Sequence, residues 1–107
     1  MAFFQSRFAS GGTKWLPELI FSSDDHLTTG MLAAFYEAGV RIPEDVRLVT
    51  LANLGYGPVF PRPLTRMEFD TSEIGEKLTH CIMSYLKTGD FPQGIVVGPK
   101  YVRGKTF

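Results

Sequence analysis

The run from Leu16 to Leu51, LPELIFSSDDHLTTGMLAAFYEAGVRIPEDVRLVTL, constrains the fold more than any other part of the chain. Glu18-Leu-Ile-Phe21 reads as an apolar strand entering Ser22-Ser23-Asp24-Asp25. Leu27, Met31, Ala34, Phe35 and Ala38 then recur at helical spacing, with Ser23 or Asp24 as the cap. Gly39-Val40 is a Schellman-type stop, and Arg41-Ile-Pro-Glu-Asp45 turns into a second strand, Val46–Leu51. Strand, helix and strand in that order form a crossover unit, whose two strands pair in parallel. The second strand is β-branched and leucine-rich, as in sheets covered on both faces. The same run sets Asp24 and Asp25 at the carboxyl end of a strand, where open parallel sheets place their ligands.

The flanking sequence extends this unit. Phe4 and Phe8 stand four residues apart, so Ala2–Ser10 reads as a short helix ended by Gly11-Gly12. Its abrupt start, without a cap, suggests a chain that begins just past a domain boundary. Ala52–Pro63 is a loop rich in glycine and proline that carries Tyr56 and Phe60, and loops of this length are often functional. Leu64–Phe69 alternates as a strand. Asp70-Thr-Ser-Glu73 is a capping box that opens a helix with Ile74, Leu78, Cys81, Ile82 and Leu86 on its buried stripe, ended by Gly89. Ile95–Val97 reads as a fourth strand and Tyr101-Val102 as a short fifth. The expected fold class is α/β: a three-layer, open, mainly parallel sheet with flanking helices. The elements are too few for a complete doubly wound protein and enough for one lobe of a two-lobe one.

Charge and composition narrow the function. Lys and Arg number 11 and Asp and Glu number 11, so no net field draws in nucleic acid or an anionic membrane. No apolar run approaches the ~20 residues of a membrane span, and the N-terminus lacks a signal-peptide pattern. The single cysteine, Cys81, excludes an internal disulfide and suits a reducing compartment, so a cytoplasmic location is expected.

Asp24-Asp25 is the sharpest polar constellation. Paired carboxylates can hold Mg²⁺, accept hydrogen bonds from sugar hydroxyls, or simply cap the helix. A phosphoacceptor site would add an Asp at the next strand end, where Ala52 and Asn53 stand instead. His26 reads as a surface histidine, and His80 is too distant in sequence to suggest a metal cluster. Cys81 fits the apolar stripe, and Gly55-Tyr-Gly57 lacks the lysine and following helix of a phosphate loop. No catalytic constellation remains, so no enzyme activity, metal or cofactor is expected. A small Mg-dependent α/β enzyme using Asp24 and Asp25 is the distant alternative.

From Pro17 onward the chain resembles the carboxyl-terminal part of the lac-repressor/galactose-repressor family of transcriptional regulators. The matching stretches are Leu19-Ile-Phe-Ser-Ser-Asp-Asp25, Gly30, Gly39-Val-Arg-Ile-Pro-Glu-Asp-Val46, Pro63-Leu-Thr65, Gly75 and Val102-Arg-Gly-Lys-Thr106. The most specific is Gly39–Val46. The resemblance implies residues 1–107 as the C-terminal subdomain of an effector-binding domain with the type I periplasmic-binding-protein-like fold. The first lobe and the helix-turn-helix would lie outside it. It further implies a ligand-sensing, dimerising role in a DNA-binding regulator of repressor type. The effector would be a small, sugar-like molecule, with DNA reached only through the other segment and no contact with membranes. A periplasmic sugar-binding transport protein of the same superfamily is the nearer alternative. Carried over by position, the effector contacts would be Asp24, Asn53 and Thr71, with Ala52 replacing the family's usual acid and Asp25 supporting the helix start. Homodimer contacts would fall on Thr28, Thr29 and Leu32, and on Tyr56, Val59 and Phe60.

Overall fold

The computed structural model describes residues 2–12 and 15–107. In chain order the elements are α1 (Ala2–Gly11), β1 (Leu19–Ser22), α2 (Asp25–Glu37), β2 (Arg47–Asn53), β3 (Thr65–Phe69), α3 (Thr71–Thr88) and β4 (Lys100–Val102). The strands form one sheet in the order β1-β2-β3-β4. β1 pairs with β2, and β2 with β3, in parallel, while β4 closes the sheet antiparallel to β3. The α/β class and the mainly parallel sheet expected from the sequence are present.

Local chemistry fixes α2. Asp24, extended at φ −149°, caps its first turn. Gly39, at φ 71°, ends it: Val40 N–H donates to Phe35 O at 2.9 Å and Gly39 N–H to Tyr36 O at 3.2 Å, the two bonds of a Schellman stop. One side of α2 then buries Met31, Leu32, Ala34 and Phe35. With Val40, Ile42, Val46, Leu48 and Leu64 most of these residues form the core. α1 packs on α2 from outside, setting Phe4 and Phe8 edge-on to Phe35 at 5.3 and 5.6 Å. Leu27, expected on the apolar stripe, is 65% exposed.

Buried hydroxyls pin these elements together. Thr28 Oγ1 lies 2.6 Å from Ser22 Oγ and 2.7 Å from Thr50 Oγ1, and is 2.9 Å from Asp24 O. The start of α2 is thereby tied to the ends of β1 and β2. At the opposite end of the sheet, Thr106 Oγ1 donates to Leu48 O and accepts from Thr65 N–H, both at 2.9 Å. Gly104 makes that insertion possible, since a Cβ there would stand 2.2 Å from Pro63 O.

The second helix unit departs from expectation. Asp70 caps α3 through Ser72 and Glu73 N–H, and Gly89 ends it at φ 78°. Yet no residue of α3 is buried, including the expected stripe of Ile74, Leu78, Cys81, Ile82 and Leu86. The helix stands away from the sheet and carries the irregular return segment 90–99, with Tyr85 stacked on Phe91 at 4.5 Å. The molecule is accordingly 59 Å long, with a radius of gyration of 18.4 Å, against roughly 13 Å for a compact chain of this size. Ile95–Val97 is not a strand: the arm leaves it beside α3 with no sheet edge to join. The last strand is instead Lys100–Val102, around the short Tyr101-Val102 element. Helix α2 lies on one face of the sheet with α1 outside it, and among the described residues no helix covers the other face.

Candidate functional site

A shallow cleft of about 180 Å³ lies at the carboxyl ends of β1 and β2, lined by Ser23, Asp24, Asp25, Leu51, Ala52, Asn53 and Phe69. Parallel pairing creates it. Ser22 pairs in register with Thr50, so the residues following each strand open on the same end of the sheet. The hydroxyl cluster beneath, built from Ser22, Thr28 and Thr50, holds that end rigid.

The two acids divide their work differently from expectation. Asp24 Oδ1 accepts from His26 N–H at 2.7 Å and Leu27 N–H at 3.1 Å, so Asp24, rather than Asp25, supports the helix start. Asp24 nevertheless borders the cleft as well. Asp25, at the first helical position, contributes to the same wall. Asn53 joins it from the end of β2, its backbone carbonyl oxygen held by Tyr56 N–H at 2.9 Å. Thr71 does not join the group: it is exposed at the start of α3 and lies outside the lining. Ser23 and Phe69 do line the cleft and were not singled out from the sequence. Their only signal was position, one residue past β1 and the last residue of β3.

The arrangement offers carboxylate acceptors, a carboxamide, a hydroxyl and one aromatic side, a set suited to hydrogen-bonding a small polyhydroxylated or amide-bearing molecule. Among the described residues, no three His, Cys, Asp or Glu side chains come together in a geometry that could hold a metal ion.

The partner-contact candidates separate by burial. Thr28 is 0% exposed and Leu32 sits in the core, so neither presents a surface to another subunit. α2 turns that side inward to satisfy the Thr28 hydroxyl and bury the Leu32 side chain. Phe60 is half-buried against the core. Thr29 is exposed, Tyr56 is 77% exposed and Val59 97%.

A family model described as periplasmic binding protein-like domain matches residues 2–107. The chain belongs to that family. Its relatives include the HTH-type transcriptional repressor PurR of Photobacterium profundum, 28% identical over 66% of this chain and 21% of the relative. The HTH-type transcriptional repressor MelR of Bacillus subtilis is 28% identical over 77% of this chain and 24% of its own length. The HTH-type transcriptional regulator GalR of Streptococcus thermophilus is 30% identical over 65% and 20%. The chain thus spans about a fifth to a quarter of these relatives. Among solved structures, a LacI family transcriptional regulator from Arthrobacter sp. FB24, in complex with lactose, superposes with a TM-score of 0.75 at 18% identity. That superposition covers 96% of this chain and 38% of the other, and it shows the shared fold. The resemblance to lac-repressor/galactose-repressor regulators, first visible in Gly39–Val46, holds across the domain.

Proposed function

We propose that this chain is the effector-sensing C-terminal lobe of a DNA-binding transcriptional regulator of repressor type, and that the Ser23–Asp25/Asn53 cleft is one wall of its effector site. The observation that carries the reading is the cleft itself: polar side chains gathered at the carboxyl ends of parallel strands in a chain whose relatives are named as repressors. The effector is a small polar molecule of sugar type, in keeping with the lactose bound to the structurally similar regulator. The regulator works in the cytoplasm as a homodimer, without catalysis. Among the described residues no helix is long and apolar enough to cross a membrane. The transport-protein alternative shares the fold, and the relatives' names favour the regulator.

A cleft this open buries only part of a sugar, so binding to the chain alone is weak, because each lost 1.4 kcal/mol costs about a factor of ten. The test is an NMR titration with mono- and disaccharides. Amide shifts should concentrate at Ser23–Asp25 and Ala52–Asn53, with millimolar affinity, and Asn53→Ala should abolish them. Shifts scattered over the surface, or none at the cleft, would sink the proposal.

A further inference from the structure

The hydroxyls beneath the cleft have more oxygens within reach than protons to give. Thr28 and Thr50 are 0% exposed and Ser22 is 8% exposed. Thr28 Oγ1 lies 2.6 Å from Ser22 Oγ, 2.7 Å from Thr50 Oγ1 and 2.9 Å from Asp24 O. Ser22 Oγ also reaches Asp24 O at 3.2 Å, and Thr50 Oγ1 reaches Leu51 O at 2.9 Å. Each hydroxyl carries one proton, which rotates to suit its neighbours, and accepts up to two more. The hydroxyl-to-hydroxyl approaches are the shortest, and each attracts only with a proton between its oxygens. The remaining proton then serves one carbonyl and not the other. If Thr28 donates to Asp24 O, both neighbouring hydroxyls donate to Thr28 and none reaches Leu51 O. If Thr28 donates to Ser22, Ser22 serves Asp24 O, with the same result. If Thr28 donates to Thr50, Thr50 serves Leu51 O, Ser22 donates to Thr28, and no hydroxyl reaches Asp24 O.

We infer that Ser22, Thr28 and Thr50 form a relay with two hydrogen-bond settings that couples the two walls of the cleft, Thr28 and Thr50 acting as positioning residues for the effector. Asp24, just past β1, and Leu51, near the end of β2, both line the cleft, so the competing carbonyls belong to its opposite walls. The far end of the sheet supplies a contrast. There Thr65 N–H donates to Thr106 Oγ1 and Gly104 N–H to Thr65 Oγ1, and these backbone donors leave Thr106 only Leu48 O to serve. Among the described residues no N–H donates to the hydroxyls of Ser22, Thr28 or Thr50, so nothing fixes the direction of their bonds. Valine fills the volume of threonine without burying a hydroxyl, so packing alone does not call for threonine at positions 28 and 50.

Changing the setting takes only rotations about Cβ–Oγ bonds, with no movement of the backbone. Buried away from water, such hydrogen bonds polarise one another, so a change at one end is felt at the other. A polar molecule that draws the Asp24 turn toward itself stretches the bond to Asp24 O. The proton then passes to Leu51 O and holds the end of β2 more tightly. A pull on β2 does the reverse. The part of this inference that concerns an effector rests on the cleft being its site; the two settings do not.

The experiment is NMR of the hydroxyl protons in the 107-residue chain, whose three-bond coupling to Hβ reports the direction of each O–H. The Thr28 and Thr50 protons should exchange slowly with water and show averaged couplings. Thr28→Val should move the Thr50 coupling to a single-rotamer value, its proton now held by Leu51 O. Thr50→Val should move the Thr28 signal as well, leaving Asp24 O served at all times. Wild-type couplings already at single-rotamer values mean one fixed arrangement and overturn the inference. So do hydroxyl protons that exchange too fast to observe, since water would then be the missing partner. Titration with glucose and lactose tests the positioning role. Thr28→Val should weaken binding at the cleft about fivefold, whereas Thr28→Ser, which keeps the hydroxyl and loses the methyl, should stay within about twofold of wild type. Affinities that follow the melting temperatures of the two variants instead mark a merely structural role and overturn it. A cleft that responds to neither sugar sinks the effector reading, and the couplings still decide the relay.

Discussion

The chain builds two strand-helix units that are alike in local chemistry and unlike in everything beyond it. Both helices start on an aspartate whose side chain accepts two backbone N–H groups, Asp24 for α2 and Asp70 for α3. Both end on a left-handed glycine, Gly39 and Gly89. Both carry apolar residues at helical spacing. Yet α2 buries Thr28, Met31, Leu32, Ala34 and Phe35, and α3 buries none. Caps and periodicity determine where a helix begins, ends and turns its apolar side. Which surface receives that side depends on the connections, and these differ. The links into the helices are short in both units, Ser23-Asp24 and Asp70, but the link out of α2, from Ala38 to Val46, folds over the core, whereas the link out of α3 is the irregular segment 89–99.

The same kind of truncation should therefore have opposite consequences in the two helices. Phe35 is 1% exposed, wedged against Phe4 and Phe8, and Phe35→Ala should cost about 3–5 kcal/mol. Ile82→Ala, in dilute protein, should change stability by less than ~0.5 kcal/mol, as for an exposed site. Urea melts of the two variants measure this directly. A loss of several kcal/mol at Ile82 in the monomer would mean that α3 is packed on its own sheet.

That contrast marks how far the sequence could be read. Gly39–Val46 and the Ser-Ser-Asp-Asp turn are local codes, so the crossover, the strand ends and the cleft wall of Asp24, Asp25 and Asn53 were legible. The Ile74–Leu86 stripe was equally legible as amphipathic, but amphipathicity does not name its partner, and burial was assigned to it in error. Ile95–Val97 failed for the same reason: a β-branched run becomes a strand only where an edge is within reach. Thr28 and Leu32 illustrate a third limit. Their family-derived placement at an interface could not register that Thr28 closes a buried hydroxyl cluster or that Leu32 completes the core.

The two caps sharpen the comparison at smaller scale. Asp24→Ala and Asp70→Ala remove equivalent interactions, each worth ~1 kcal/mol of helix stability. At Asp24 the loss should lower the global unfolding midpoint, because α2 and the core melt together. At Asp70 it should reduce helix content in far-UV circular dichroism with the midpoint nearly unchanged. Equal midpoint shifts would show that arm and body unfold as one unit, erasing the distinction.

The smallest effect lies in the connection that lets α2 pack at all. Arg41 donates three hydrogen bonds to Asp45: from its backbone N–H and its Nε to Oδ2 at 2.8 and 3.2 Å, and from a terminal guanidinium nitrogen to Oδ1 at 2.9 Å. The Arg41 side chain first, and its backbone N–H second, hold the Asp45 carboxyl below its ordinary value of 3.8. Glu44, bonded to Arg62 at 2.8 Å, is lowered in the same way. A depressed pKa means that the unfolded chain binds more protons as the solution acidifies. The stabilisation is therefore complete above the unfolded value and disappears as pH falls through the folded one. Solvent and salt screen the pair, since the Arg41 side chain is 71% exposed. The melting temperature of the wild type should exceed that of Asp45→Asn by a small margin at pH 7. That margin should close as the pH drops below about 4 and shrink in high salt. A margin that stays constant from neutral to acidic pH would show that Asp45 holds the turn by shape rather than charge.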